Sequence, residues 1–213
     1  MYKAIIFDLD DTLYDYETIN RIATEKLSAF TCKKFGVTEA EFNEAFLWAK
    51  KQTKSLLGET AASHNRMLYC QKTLERLGKN PVDGALGMYD CYWDCMLDTM
   101  QLRDGTLALL AKLKADKVKI ALCTDLTAHI QHRKIQRLGL TAYIDVLVTS
   151  EEASVEKPNK KIYELVLQKL NLAPADCLFV GDSQKKDEAG PRTVGMHSIR
   201  FTNMNDLEKY IYG

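Results

Sequence analysis

Several protein classes are excluded by what this chain lacks. Its Lys and Arg residues number 29 and its Asp and Glu residues 29, so no basic excess exists to neutralise a phosphate backbone. A nucleic-acid polymer is therefore not expected as a partner, whereas a small anionic ligand stays open because local charge governs there. No apolar stretch approaches the roughly 18 residues of a membrane-spanning helix, so no membrane partner is expected. The first apolar run, Ala4-Ile5-Ile6-Phe7 after Lys3, is far too short for a signal-peptide core. The six cysteines, at 32, 70, 91, 95, 123 and 177, form no disulfide framework, and Cys91 and Cys95 stand four apart rather than as a CxxC redox pair. They read as reduced thiols of a cytoplasmic protein, with Cys123 and Cys177 acting as small hydrophobes in apolar runs.

What is present suits a soluble globular chain. Its 213 residues are 46% hydrophobic and 27% charged, enough for one well-buried core with a smaller accessory domain. Residues 3–8, 118–123, 144–149, 177–181 and 196–201 are short runs rich in Val, Ile, Leu and Phe. Continuous runs of this kind suit parallel strands buried on both faces. Helical periodicity fills the intervals at 104–116, 127–138, 159–170, 186–195 and 205–211. Strand-helix-strand repetition implies right-handed crossovers and a doubly wound α/β sheet.

Residues 16 to 98 carry no strand signal. Phe42, Ala45, Phe46, Ala49, Thr53 and Leu56 recur at helical spacing behind Thr38-Glu39-Ala40-Glu41, which fits a capping box. Met67, Cys70, Leu74 and Leu77 form a second stripe, and Leu86, Tyr89, Trp93 and Met96 a third. Breaks are expected at Gly36, Gly58, Gly78 to Pro81 and Gly84. The expected organisation is an all-helical cap domain over 16–98, inserted into an α/β catalytic core formed by 1–15 and 99–213.

The first strand ends in Asp8-Leu9-Asp10-Asp11-Thr12. Two carboxylates at i and i+2 beyond a buried strand can divide cation binding and proton transfer between them, although a solvated acidic turn has the same composition. Thr124 closes the second strand, where capping the next helix is its plain role. Lys157 follows the third strand; alone it reads as a solvated charge. Gly181-Asp182-Ser183 follows the fourth, with Asp187 five residues beyond Asp182. Position adds more than identity. All four groups fall after the C-terminal ends of different parallel strands, the edge where open α/β sheets build their sites.

As a set, these residues resemble the haloacid dehalogenase superfamily. Asp8-Leu9-Asp10-Asp11-Thr12 is similar to its first motif, Thr124 to its second, Lys157-Pro158 to its third, and Gly181-Asp182-Ser183 with Asp187 to its fourth. The stretch from Thr149-Ser150-Glu151-Glu152 to Ile162-Tyr163 resembles the nucleotidase-like branch with helical caps. Three departures stand out: Asp125 where Asn is common, Lys186 where Asn often precedes the last acid, and Ala189-Gly190-Pro191 for a more usual Gly-Ala pattern.

The resemblance implies Asp8 as nucleophile and Asp10 as general acid and base. It implies Thr124, Asp125 and Lys157 around the phosphate, and Mg²⁺ held by Asp8, Asp10 (through its carbonyl), Asp182 and Asp187. Dehalogenases look to carry Tyr at the position of Asp10, so Asp10 favours phosphate esters. Lys50, Lys51 and Lys54, with Glu59, read as a solvated helix face rather than as the Schiff-base lysine of the phosphonate-cleaving branch. Tyr14 and Tyr16, beside the nucleophile loop, are expected to contact substrate. His129 and His132, with Asp125 on one helix face, read as solvated or capping residues.

The expected activity is Mg²⁺-dependent hydrolysis of a small phosphorylated metabolite, a nucleotide 5'-phosphatase being the first expectation. The runner-up is a sugar phosphate phosphatase or phosphomutase. A catalytically silent phosphate-binding protein is the alternative of another class, and the paired acids Asp8 and Asp10 argue against it. Monomer and dimer are equally compatible with the sequence.

Overall fold

The computed structural model describes residues 2–213. The chain divides into two compact units, one of residues up to Tyr16 together with Gln101–Gly213, the other Glu17–Met100.

The first unit is an α/β sandwich. Strands β1 (Ala4–Phe7), β2 (Lys119–Thr124), β3 (Val146–Thr149), β4 (Cys177–Gly181) and β5 (His197–Arg200) form one sheet in the order β3-β2-β1-β4-β5. Every pairing is parallel. The order turns back on itself at β1, which places the first motif at the switch point of a doubly wound sheet. The α/β expectation therefore holds, and β1 and β4 are buried along their whole length as two-sided strands require.

Alternation divides the strand residues between two cores. Ala4, Ile6, Ala121, Cys123, Val148, Cys177 and Phe179 join Ile162, Tyr163, Val166 and Leu170 of α8 (Lys160–Leu170) on one face. The other face is served by α5 (Thr106–Ala115), which packs on β2 and is flanked by the last helix, α10 (Met204–Tyr212). The remaining elements are α6 (Ala128–Arg137), the short α7 (Ser150–Ala153) and a three-residue α9 (Gly190–Arg192).

Sequence periodicity predicts one helix over 186–195. The chain instead makes a π-helical turn over Gln184–Ala189 before α9. Ser183 starts it: its hydroxyl accepts from Lys186 N and its carbonyl from Asp187 N, which winds the chain around the Asp187 side chain. Single π turns of this kind concentrate at functional sites.

The second unit is helical: α1 (Tyr16–Phe35, entered one residue before the boundary), α2 (Glu39–Leu57), α3 (Arg66–Arg76) and α4 (Pro81–Thr99), with a 3₁₀ turn at Ala61–His64. The capping box at Thr38 forms as expected, with Glu41 N on the Thr38 hydroxyl and Thr38 N on the Glu41 carboxylate. Of the stripes read from sequence, Phe42, Ala45, Ala49, Thr53, Cys70, Leu74, Trp93 and Met96 are buried, whereas Leu56 and Leu86 are exposed. One expected break is not a break. Gly84 lies inside α4, where a Cβ would stand 2.3 Å from the Phe35 ring, so its lack of a side chain serves close helix approach. Asn80 caps that helix and Pro81 opens it.

No helix among the described residues is long and apolar enough to cross a membrane.

Candidate active site

Four loops leave the C-terminal edge of the sheet in the first unit. The loop after β1 is held from below by Asp8 N, which donates to Val180 O at 2.9 Å. It turns at Asp11, whose φ of 59° is a left-handed conformation. Arg103 secures the turn, its guanidinium donating to the carbonyls of Asp11 (3.0 Å) and Thr12 (3.2 Å).

Lys157 enters this edge from the loop after β3 with a nearly buried side chain, 2% exposed. Its Nζ donates to Asp8 Oδ1 at 2.7 Å and to Asp187 Oδ1 at 2.6 Å. Burial by itself would discharge the ammonium, but the carboxylates of Asp187, Asp8 and Asp125 outweigh it and hold the Lys157 pKa well above the ordinary lysine value. Burial also pushes the Asp8 carboxyl well above the usual carboxylate range. Lys157 pulls against that rise, while Asp187 and Asp10 add to it.

Asp8, Asp182 and Asp187 each bring a carboxylate oxygen within 4.8 Å of the others. Asp182 is also raised, first by burial and then by the charges of Asp187 and Asp11. Three converging carboxylates are a donor set for a hard divalent cation, and Mg²⁺ fits them. Asp187 has a further duty, since its Oδ2 accepts from Ser183 N at 3.0 Å. Gly181 makes room for this loop: a Cβ there would meet the Asp187 carboxyl at 2.4 Å. No other residue type fits without moving that acid.

Asp10 points its carboxylate into a different set of donors. Lys134 Nζ, on α6, reaches both oxygens at 2.8 and 2.9 Å, and Tyr14 Oη donates to Oδ1 at 2.6 Å. Tyr14 is fully buried, so its hydroxyl orients Asp10. Tyr16 places its ring 6.5 Å from that of Tyr14 and 5.6 Å from Lys134 Nζ.

Thr124 ends β2 with its hydroxyl accepting from Gln131 Nε2 at 2.7 Å. The two unusual residues noted in the sequence turn out to be partners. Asp125 Oδ2 accepts from Lys186 Nζ at 2.7 Å, and its Oδ1 accepts from Lys157 N at 3.0 Å. Where Asn is common the chain carries an acid, and the neighbouring loop supplies the matching cation. Both Asp125 oxygens are thus taken by the protein, so its side chain holds the Lys157 loop rather than facing a phosphate as expected from sequence. His129 and His132 are exposed and belong to no metal-ligating group among the described residues.

A family model described as haloacid dehalogenase-like hydrolase matches residues 2–195. The chain belongs to the haloacid dehalogenase-like hydrolases. It is 36% identical over 204 residues to the ribulose-1,5-bisphosphate 5-phosphatase of Halopiger xanaduensis, covering 94% of this chain and 85% of that one. It is 29% identical to the pyrimidine 5'-nucleotidase YjjG of Escherichia coli, over 90% and 82% of the two chains. The HAD-hydrolase YfnB of Bacillus subtilis shares the fold, with a TM-score of 0.74 at 18% identity across 99% and 98%. The chain is a HAD-type phosphatase, and its relatives act on small phosphorylated metabolites.

Four supporting residues of this phosphatase escaped the sequence reading: Lys134, Gln131, Arg103 and Tyr163. The first two left a legible trace. Ile130, Gln131, Lys134 and Ile135 form the buried stripe of α6, so an amide and an ammonium stand at positions where helical periodicity asks for apolar residues. Arg103 and Tyr163, which hold main-chain carbonyls, left no sequence signal; Tyr163 donates to Lys186 O.

Proposed function

We propose that this enzyme hydrolyses phosphate monoesters of small sugar-type metabolites in the presence of Mg²⁺, with Asp8 as the nucleophile. The observation that carries the reading is the position of Lys157, seated between Asp8 and Asp187 where three acid side chains converge. That arrangement keeps a nucleophilic carboxylate beside a fixed cation in a buried site. Electrostatic stabilisation of a transferring phosphoryl group needs that setting.

In the first half-reaction an Asp8 carboxylate oxygen bonds to phosphorus as the ester P–O bond breaks, and Asp10 gives a proton to the departing alkoxide. In the second, Asp10 takes a proton from water as the water oxygen bonds to phosphorus and the Asp8–phosphorus link breaks. Lys134 and Tyr14 keep the Asp10 carboxyl from swinging between these steps. Thr124 and Lys157 donate to the equatorial oxygens. Mg²⁺, which Asp8, Asp182, Asp187 and the Asp10 carbonyl would hold, adds fixed positive charge beside the phosphoryl oxygens.

Sugar phosphates rank ahead of nucleotides because the relative named for a sugar bisphosphate is 36% identical and the nucleotidase 29%. Six free cysteines support a reducing, cytoplasmic setting. The test is phosphate release from pentose and triose phosphates, nucleoside 5'-monophosphates and p-nitrophenyl phosphate. It is run with Mg²⁺ or EDTA, on the native protein and Asp8→Asn. Metal-dependent release that Asp8→Asn lowers by on the order of a thousandfold or more supports the mechanism. Release that persists in Asp8→Asn would rule Asp8 out as nucleophile, and isomerisation of a sugar phosphate without release would point to a mutase.

A further inference from the structure

We propose that Gln131 is a positioning residue: it fixes the direction of the Thr124 hydroxyl so that its hydrogen is presented to a phosphoryl oxygen. The inference rests on the reading of Thr124 as a phosphate contact and deepens it.

The surroundings decide the orientation of the Gln131 amide. Its Nε2 stands 2.7 Å from Thr124 Oγ1 and 2.7 Å from the Asp125 carbonyl oxygen. A carbonyl oxygen only accepts, so nitrogen must face it; the flipped amide would press two acceptors together. One N–H therefore goes to Asp125 O and the other to Thr124 Oγ1. The Thr124 hydroxyl accepts from that side, and its own hydrogen must point elsewhere. Among the described residues the acceptor within its reach is Asp125 O, at a long 3.4 Å, and that oxygen already receives an N–H from Gln131. A phosphoryl oxygen arriving at the sheet edge offers acceptors only and takes the hydrogen that is left over.

Two observations separate this from ordinary packing. Gln131 is fully buried on the apolar stripe of α6, and its Oε1 has no hydrogen-bond partner among the described residues. An unpartnered buried acceptor costs stability that Leu or Met at the same place would not. What the amide brings in exchange is the pair of N–H groups aimed at Thr124 and Asp125.

The test is a double-substitution cycle read by orthophosphate binding with Mg²⁺ present, by calorimetry, alongside kcat/KM on the best ester. Gln131→Met is expected to weaken orthophosphate binding about tenfold, the size of one hydrogen bond to a charged group. Thr124→Val is expected to weaken it similarly, and Gln131→Met added to Thr124→Val to weaken it no further. In Thr124→Ser, which keeps a hydroxyl, the Gln131→Met effect should persist in full. Equal losses in the Thr124→Val and native backgrounds would show that Gln131 acts through packing, overturning the proposal. Unchanged binding in Gln131→Met, or no orthophosphate binding by the native protein, would overturn it as well. Should Gln131→Met not fold, Gln131→Leu carries the same cycle. The two readings part cleanly. Coupled binding without turnover would sink the hydrolytic mechanism alone, and turnover with additive losses would sink the positioning role alone.

Discussion

The two edges of the sheet are both rich in charge, and they use it differently. At the N-terminal edge, Lys3 pairs with Asp176 at 2.9 Å and Lys114 with Asp145 at 2.5 Å, with Lys3 64% exposed. At the C-terminal edge the ammonium groups of Lys157 and Lys134 lie on side chains 2% and 0% exposed. Exposed pairs gain little because water screens them and the side chains lose freedom. Buried ones carry a desolvation cost that a stable fold has no need of, since apolar residues of similar size would fill the space as well. A cluster of buried charge is therefore better evidence of chemistry than of stability.

Removing one partner at the inner edge should have the largest effect. Lys157→Met leaves Asp8 and Asp187 facing each other without their common cation, and unfolding in urea should show a loss of about 3–5 kcal/mol. A loss below about 1 kcal/mol would place Lys157 in the same class as the outer-edge lysines.

Lys134→Met comes next. It frees the Asp10 carboxylate from one of its two holders, and turnover of alkyl phosphates should fall about 10²-fold, the scale of general acid–base catalysis. In kcat/KM, which reports the first half-reaction alone, p-nitrophenyl phosphate, whose leaving group needs no proton, should lose far less, while Lys134→Arg should recover part of the alkyl activity. Equal losses in kcat/KM on both esters would mean that Lys134 does not serve Asp10 as the general acid.

The outer edge should respond more weakly and with a pH signature. Burial would raise the Asp145 carboxyl, but the Lys114 hydrogen bond and the Ile120 N–H outweigh it and hold it below its ordinary value of 3.8. A carboxyl lowered by folding stabilises fully above its unfolded value, and the contribution fades as pH falls through the folded value. Asp145→Asn should therefore cost about 1 kcal/mol near neutral pH, the size of one hydrogen bond. The native and variant stability curves should converge in acid. Lys3→Ala should change stability by less than about 0.5 kcal/mol at any pH, measured by the same urea unfolding.

The C-terminal edge was legible in sequence because parallel strands must end somewhere, and short apolar runs show where. Asp8, Thr124, Lys157 and Asp182 each follow such an end. The two-sided burial of β1 and β4 followed from the same pattern, whereas the order of the strands came from the structure. Gly84 was misread because a glycine in a helix and a glycine that ends one look alike until the Phe35 ring is seen against it. Asp125 and Lys186 were each noticed as departures, but 60 intervening residues conceal that one answers the other.

By itself the sequence determined the parallel α/β core, the helical stretch within it and the acids that meet at one edge. Those follow from periodicity and from chemistry near each strand end, which are local properties. Only the tertiary structure decided which donor serves which acid: Lys157 between Asp8 and Asp187, Lys134 with Tyr14 on Asp10, Gln131 on Thr124. A hydrogen bond is settled by a few tenths of an ångström between residues up to 149 positions apart. Spacing along a chain carries no record of that distance.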